Sequence, residues 1–240
     1  MSILPNAPLI EVIFEIKWQI TNKNDLVEFQ YLHGDLYAVL KNHYPVRENL
    51  LPPDFPMEAL NGVPMYRFRK EKNGYPLYQL GPGILSINVT DEKYFWSNFQ
   101  NDINLILDAF VNTFPNPDRF EFVPLLSYID FFPIDVASEK PIEFINKNLN
   151  LKVEQSFIDS EENNEINLSL SYKLEQDLLS LIIKKGTYNQ KEGLVLHTKM
   201  IGPRINYSRE SLSKWIDNSH ENLRNIFKRT VTEEFYKTFK

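Results

Sequence analysis

The sequence predicts an α+β protein in which antiparallel sheets carry long helices packed on one face. Three observations lead there. Several short segments alternate apolar and polar residues at period two, which is strand spacing; Ile166 to Glu175 is the cleanest of them. Two long segments, near Asp91 to Phe114 and Arg209 to Phe239, carry apolar residues at helical spacing. Turn residues such as Asn73-Gly74 and Gly81-Pro82-Gly83 separate strands too closely for crossover helices.

The first element is a strand, because Ile10, Val12, Phe14, Ile16, Trp18 and Ile20 alternate with polar neighbours. A helix follows over Asp25 to Lys41. Phe29, Leu32, Leu36 and Leu40 form its inner stripe, and Asp25 with Glu28 resembles a capping box. Pro45 to Pro64 holds five prolines with Leu50, Leu51, Phe55, Met57 and Leu60 among them. It lacks periodicity and is too apolar for a solvated linker, so an ordered loop packed on the body is expected.

Three strands are expected next, at Met65 to Glu71, Tyr75 to Leu80 and Ile84 to Thr90. The helix from Asp91 to Phe114 has a stripe of Phe95, Phe99, Ile103, Ile106 and Phe110, and Pro115-Asn116-Pro117 stops it. A long strand then spans Arg119 to Ile134, bent at Pro124. A short helix starts at Pro141, which suits the first helical turn. Strands are expected near 151–158, 166–175, 178–185 and 194–201. A final helix over 209–239 carries Leu212, Trp215, Ile216, Leu223, Ile226, Phe227, Val231 and Phe235.

The order reads β-α-β-β-β-α and then β-α-β-β-β-β-α. This suggests two halves, 1–117 and 118–240, duplicating a β-α-β(3–4)-α unit; one compact domain is the alternative.

Composition narrows the classes. The net charge is −6, from 26 Lys and Arg against 32 Asp and Glu, so a broad nucleic-acid-binding face is not expected. The absence of cysteine removes disulfides and thiolate chemistry. The first residues lack a basic region and a long apolar run, and no stretch approaches the ~20 apolar residues of a membrane span. A soluble, cytoplasmic protein is expected.

The chemical motifs are weak. Glu15-Ile16-Lys17 matches half of a nuclease signature, but no acidic strand precedes it. A polar sheet face is the better reading, with Glu11 paired to Arg67 or Arg69 across strands. The histidines His33, His43, His197 and His220 lack metal-ligand spacing. Gly81-Pro82-Gly83 sits between strands and reads as a tight turn rather than a phosphate loop. Asp130, Asp135 and Glu139 read as a solvated strand end, and 159–165 as an exposed acidic loop. Arg224, Lys228 and Arg229 make a basic helix surface. No catalytic residue, cofactor or metal is assigned.

A set of ordered segments resembles a family of uncharacterised, sporadically distributed prokaryotic proteins. They are Asn6-Ala7-Pro8-Leu9-Ile10-Glu11-Val12, Leu80 to Asn88, Tyr94 to Phe99, Tyr128-Ile129-Asp130, and His220 through Phe227 with Thr232-Glu233. The resemblance implies no activity. Its patchy distribution implies mobile accessory genes, for example phage-defence or toxin–antitoxin loci.

The functional expectation is a non-catalytic protein-binding or regulatory subunit, with a protein partner encoded nearby or self-association. Leu50, Leu51, Phe55 and Met57 are its interface candidates. The alternative is a small-ligand sensor or enzyme with a cavity between sheet and helices, lined by Tyr66, Tyr78, Asn88 and Trp96. A weaker alternative is nucleic-acid binding through the C-terminal helix.

Overall fold

The computed structural model describes residues 4–52, 55–56, 60–90, 94–135, 139–154, 156 and 165–240. Its elements are β1 (Leu9–Trp18), α1 (Lys23–Leu40), β2 (Val46–Asn49), β3 (Tyr66–Arg69), β4 (Leu77–Gly81), β5 (Ile84–Thr90), α2 (Trp96–Thr113), β6 (Glu121–Pro133), α3 (Pro141–Asn148), β7 (Asn167–Leu174), β8 (Asp177–Tyr188), β9 (Lys191–Ile201), β10 (Ile205–Asn206), α4 (Arg209–Thr230) and α5 (Glu233–Lys237). The class is α+β, with about 34% helix, about 36% strand and a large antiparallel sheet. No helix among the described residues is long and apolar enough to cross a membrane.

The chain forms two compact units that interleave in sequence. One comprises 12–126 and 201–215; the other comprises 1–11, 127–200 and 216–240. The divisions fall inside β1, β6, β9 and α4, so each of these elements contributes to both units.

In the 12–126 unit the strand order is β2-β3-β4-β5-β1-β6, with β10 added to β6. Val12, Phe14, Ile16 and Trp18 of β1 are buried, as the alternation predicts, while Ile10 is half-buried. Trp18 packs its ring 5.3 Å from both Phe110 and Phe114. The β4–β5 turn is Pro82-Gly83, and Gly83 adopts φ +77°, the left-handed value that a turn with proline first and glycine second requires. Gly81 is needed for space: a Cβ there would run into the Val63 carbonyl.

In the other unit the order is β6-β9-β8-β7. Its core joins Phe132, Phe144, Ile145, Leu181, Ile183, Leu194, Leu196 and Phe239. Phe132 and Phe235 meet edge to face at 5.3 Å.

Several sequence expectations are corrected. The capping box of α1 is Asn22 with Asp25, not Asp25 with Glu28. The Pro45–Pro64 segment is not wholly loop, because Val46–Asn49 forms β2, paired with β3. A four-residue strand between prolines leaves too little alternation to be recognised. Residues 151–154 are not strand, and 155 and 157–164, with most of the acidic loop, lie outside the described residues. The final helix breaks at Val231 and Thr232. Val231 bridges to Leu149, and the Thr232 hydroxyl accepts from Phe235 N to start α5. The two-residue β10 carried no sequence signal.

Candidate functional site

Helix α1 presents two different faces. Phe29, Leu32, Leu36 and Leu40 are turned inward and buried. The ring of Phe29 lies 6.4 Å from Tyr66, His33 stacks on Tyr66 at 4.2 Å, and Tyr37 stacks on Phe68 at 5.6 Å. The outer face carries Val27, Tyr31, Gly34, Ala38 and Val39, all exposed. Tyr31 is 68% exposed, Val39 53% and Val27 47%. Val27, Tyr31, Gly34 and Ala38 follow helical spacing and form an uncharged stripe. The outward side thus carries an uncharged stripe with exposed Asp35 and Gln30 beside it.

The proline-rich segment adds apolar surface in the same unit. Leu50 N and Met65 N donate to the Met65 and Leu80 carbonyls, 2.8 and 2.9 Å away. Leu60 is buried, Leu50 and Leu51 are half-buried, and Phe55 and Val63 are each 41% exposed. Met57 lies outside the described residues.

The other sheet face of this unit is polar. Tyr66 and Phe68 point toward α1, so alternation turns Arg67 and Arg69 the opposite way. Glu48, Arg67, Gln79 and Ser86 are successive register partners across β2, β3, β4 and β5. They form a polar row straight across the four strands. The carboxylate that meets both arginines is Glu48, which accepts from Arg67 Nη1 at 3.4 Å and Arg69 Nε at 3.0 Å. Glu48 escaped the sequence reading because β2 did. Ser86 is buried and its hydroxyl donates to Asn88 Oδ1 at 3.4 Å. On β1, Lys17 pairs with Glu15 at 3.5 Å.

The expected cavity liners do not share one face. Tyr78 is fully buried and stacks on Phe68 at 4.5 Å, and it opposes Ile87; Asn88, the next residue along β5, points to the polar side. Burial raises the Tyr78 phenol well above its ordinary range, with Tyr37 adding to the shift. Trp96 opens α2, its ring 6.4 Å from Phe99.

The unit of 1–11, 127–200 and 216–240 holds a buried polar cluster. The Tyr128 hydroxyl lies 2.6 Å from His220 Nδ1. Asp130, two residues along the same strand face, is 4% exposed. Burial puts it among core groups rather than at a solvated strand end, which corrects the sequence reading. Gly202 N donates to Pro124 O and Ile134 N to Glu192 O, fixing the β6–β9 register. That register sets Thr198 opposite Tyr128. Thr198 and Ser219 are buried, and neither hydroxyl has a hydrogen-bond partner among the described residues. Leu194, Leu196 and Met200 are buried on the same face of β9 as Thr198, and Ile216 and Leu223 of α4 are buried too.

Burial lowers the His220 imidazole to about 4; Glu221 acts to raise it and Arg224 to lower it. Near neutral pH it is therefore an uncharged imidazole sharing one proton with a phenol. Such a pair can hold a small polar molecule or pass a proton to one. Sequence spacing could not reveal this cluster, since its members come from three elements far apart in the chain.

The basic residues of α4 serve its end. Arg224 pairs with Glu221 at 3.3 Å, while exposed Lys228 and Arg229 stand in the last turn, where cations offset the helix dipole. Asn150 donates to the Arg229 and Val231 carbonyls. Compared with known proteins, the chain matches no protein-family model, no curated protein and no solved structure.

Proposed function

We propose that this protein is a non-catalytic accessory subunit that binds another protein through the outer face of α1. The supporting observation is the uncharged stripe of Val27, Tyr31, Gly34 and Ala38 on a helix whose inner face already has its core partners. Tyrosine and valine beside small residues suit close packing of a partner's helix or loop. Phe55 and Val63 extend the apolar surface of the same unit. A locus of the phage-defence or toxin–antitoxin type is proposed from the sequence resemblance alone.

The test is affinity capture of the tagged chain together with the product of a neighbouring gene, repeated with Tyr31→Glu. Retention by the wild type and loss by the variant supports the reading. A monomer that retains no neighbour refutes it, and a concentration-dependent dimer assigns the face to self-association.

A second reading has its own support. The unpartnered hydroxyls of Thr198 and Ser219, beside Tyr128 and His220, are suited to a small polar ligand under α4. We also read the two halves as a duplication. Each opens with a strand and helix (β1-α1, β6-α3) and ends its meander with the strand that lies beside the opening one, β5 beside β1 and β9 beside β6.

A further inference from the structure

We propose that the polar sheet face of the 12–126 unit holds an oxyanion site, centred on Arg67, for the carboxylate or phosphate group of a small ligand. This site is independent of the α1 surface and lies on the opposite side of β3.

The argument is a count of donors. A guanidinium has five N–H groups in a fixed plane. With the Gln79 amide turned so that both groups are satisfied, its oxygen accepts from Arg67 Nε at 3.0 Å and Nη2 at 3.1 Å. Nη1 donates once to Glu48, at 3.4 Å. One N–H on each terminal nitrogen then has no partner among the described residues. That terminal pair is the fork that matches two oxygens of a carboxylate or phosphate.

Arg69 is committed elsewhere. Its Nε donates to Glu48, its Nη1 to the Gly74 carbonyl at 2.9 Å, and its plane lies over Tyr75 at 5.4 Å. Two guanidinium groups therefore share one carboxylate. The Arg67 side chain is 29% exposed, enough for access, while Arg69 is 9% exposed. Cross-strand neighbours hold Arg67 from two sides, so its orientation is set before a ligand arrives. Gln79 continues the row and offers its amide N–H groups to further ligand polar groups.

The experiment follows the Arg67 Nε–H resonance by NMR during titration with sodium phosphate or sodium acetate, against sodium chloride at matched ionic strength. We expect a saturable shift in the millimolar range with at least one oxyanion. Arg67→Lys, which lacks the planar fork, should weaken binding about tenfold, read from the remaining shifts of the face. Arg67→Gln serves if the lysine variant loses its dispersed spectrum. Glu48→Gln removes the competing carboxylate and should tighten binding a few-fold. Saturation by phosphate alone assigns a phosphate group, and saturation by acetate a carboxylate. Shifts no larger than with chloride, undiminished binding in Arg67→Lys, or weaker binding in Glu48→Gln would each overturn the proposal.

Discussion

Arg119 Nη2 lies 2.7 Å from Asp25 Oδ1, and the same nitrogen lies 2.8 Å from Glu28 Oε2. One guanidinium thereby ties the first turns of α1 to a residue 94 positions later. Asp25 also accepts from Thr21 N, the Thr21 hydroxyl and Asn22 N. Burial alone would raise its carboxyl, but these hydrogen bonds and Arg119 outweigh it and hold the carboxyl below its ordinary range.

Asp25→Ala should therefore cost about 1–3 kcal/mol in chemical denaturation, since it removes a capping partner and a buried acceptor together. Arg119→Ala should cost less, about 1 kcal/mol or under, because the guanidinium is 44% exposed and screened. The folded-state value is depressed, so Asp25 contributes fully above the unfolded carboxylate range near 4. The contribution is lost as pH falls through the folded value. Asp25→Asn should flatten that acid limb.

His220 and His197 predict a second pH effect in a different window. Burial lowers both to about 4; Lys199 and Lys184 lower His197 further. Their unfolded values lie near 6.5, so the unfolded chain takes up protons first as pH falls. Stability should be full above about pH 6.5 and decline toward pH 4, by on the order of 2–3 kcal/mol for each histidine. Urea midpoints measured across this range should show the decline, and His220→Gln should remove part of it. Tyr128→Phe should cost about 1 kcal/mol through the lost hydrogen bond.

The outer face of α1 should tolerate charge in the isolated protein. Tyr31→Glu and Val39→Lys should each change stability by no more than about 0.5 kcal/mol, since both positions are exposed. The same changes should abolish co-elution with a partner. A large loss of stability would mean that the face packs within the chain.

Thr198→Val discriminates between an empty and an occupied polar cluster. The swap keeps the shape and deletes a buried hydroxyl that has no partner among the described residues. With nothing bound, stability should be unchanged or rise by up to about 1 kcal/mol. A loss of that size would show that the hydroxyl holds a water or ligand, and would favour the small-ligand reading.

What could be read in advance followed local physics. Period-two alternation located β1, β5 and β7, and the i, i+3, i+7 stripe of Phe29, Leu32, Leu36 and Leu40 set the inner face of α1. The outer stripe of α1 also has a sequence signal: Val27, Tyr31, Ala38 and Val39 exceed what one buried face needs. Short or interrupted elements were illegible. The four residues of β2 lie among prolines, and the break at Val231 depends on the bridge to Leu149.

By itself the sequence determined the class, most element positions, the Gly81-Pro82-Gly83 turn and the buried faces of β1 and α1, because these depend on side chains within a few residues of one another; the apolar face of β7 is half-buried at Leu168 and Leu170 and exposed at Tyr172 and Leu174. Tertiary structure alone decided that Glu48 meets Arg67 and Arg69. It also buried Asp130 and brought Tyr128, Thr198 and His220 together. Such pairings depend on strand order and register, and those are chosen by summed burial over the whole chain rather than by any local run of residues.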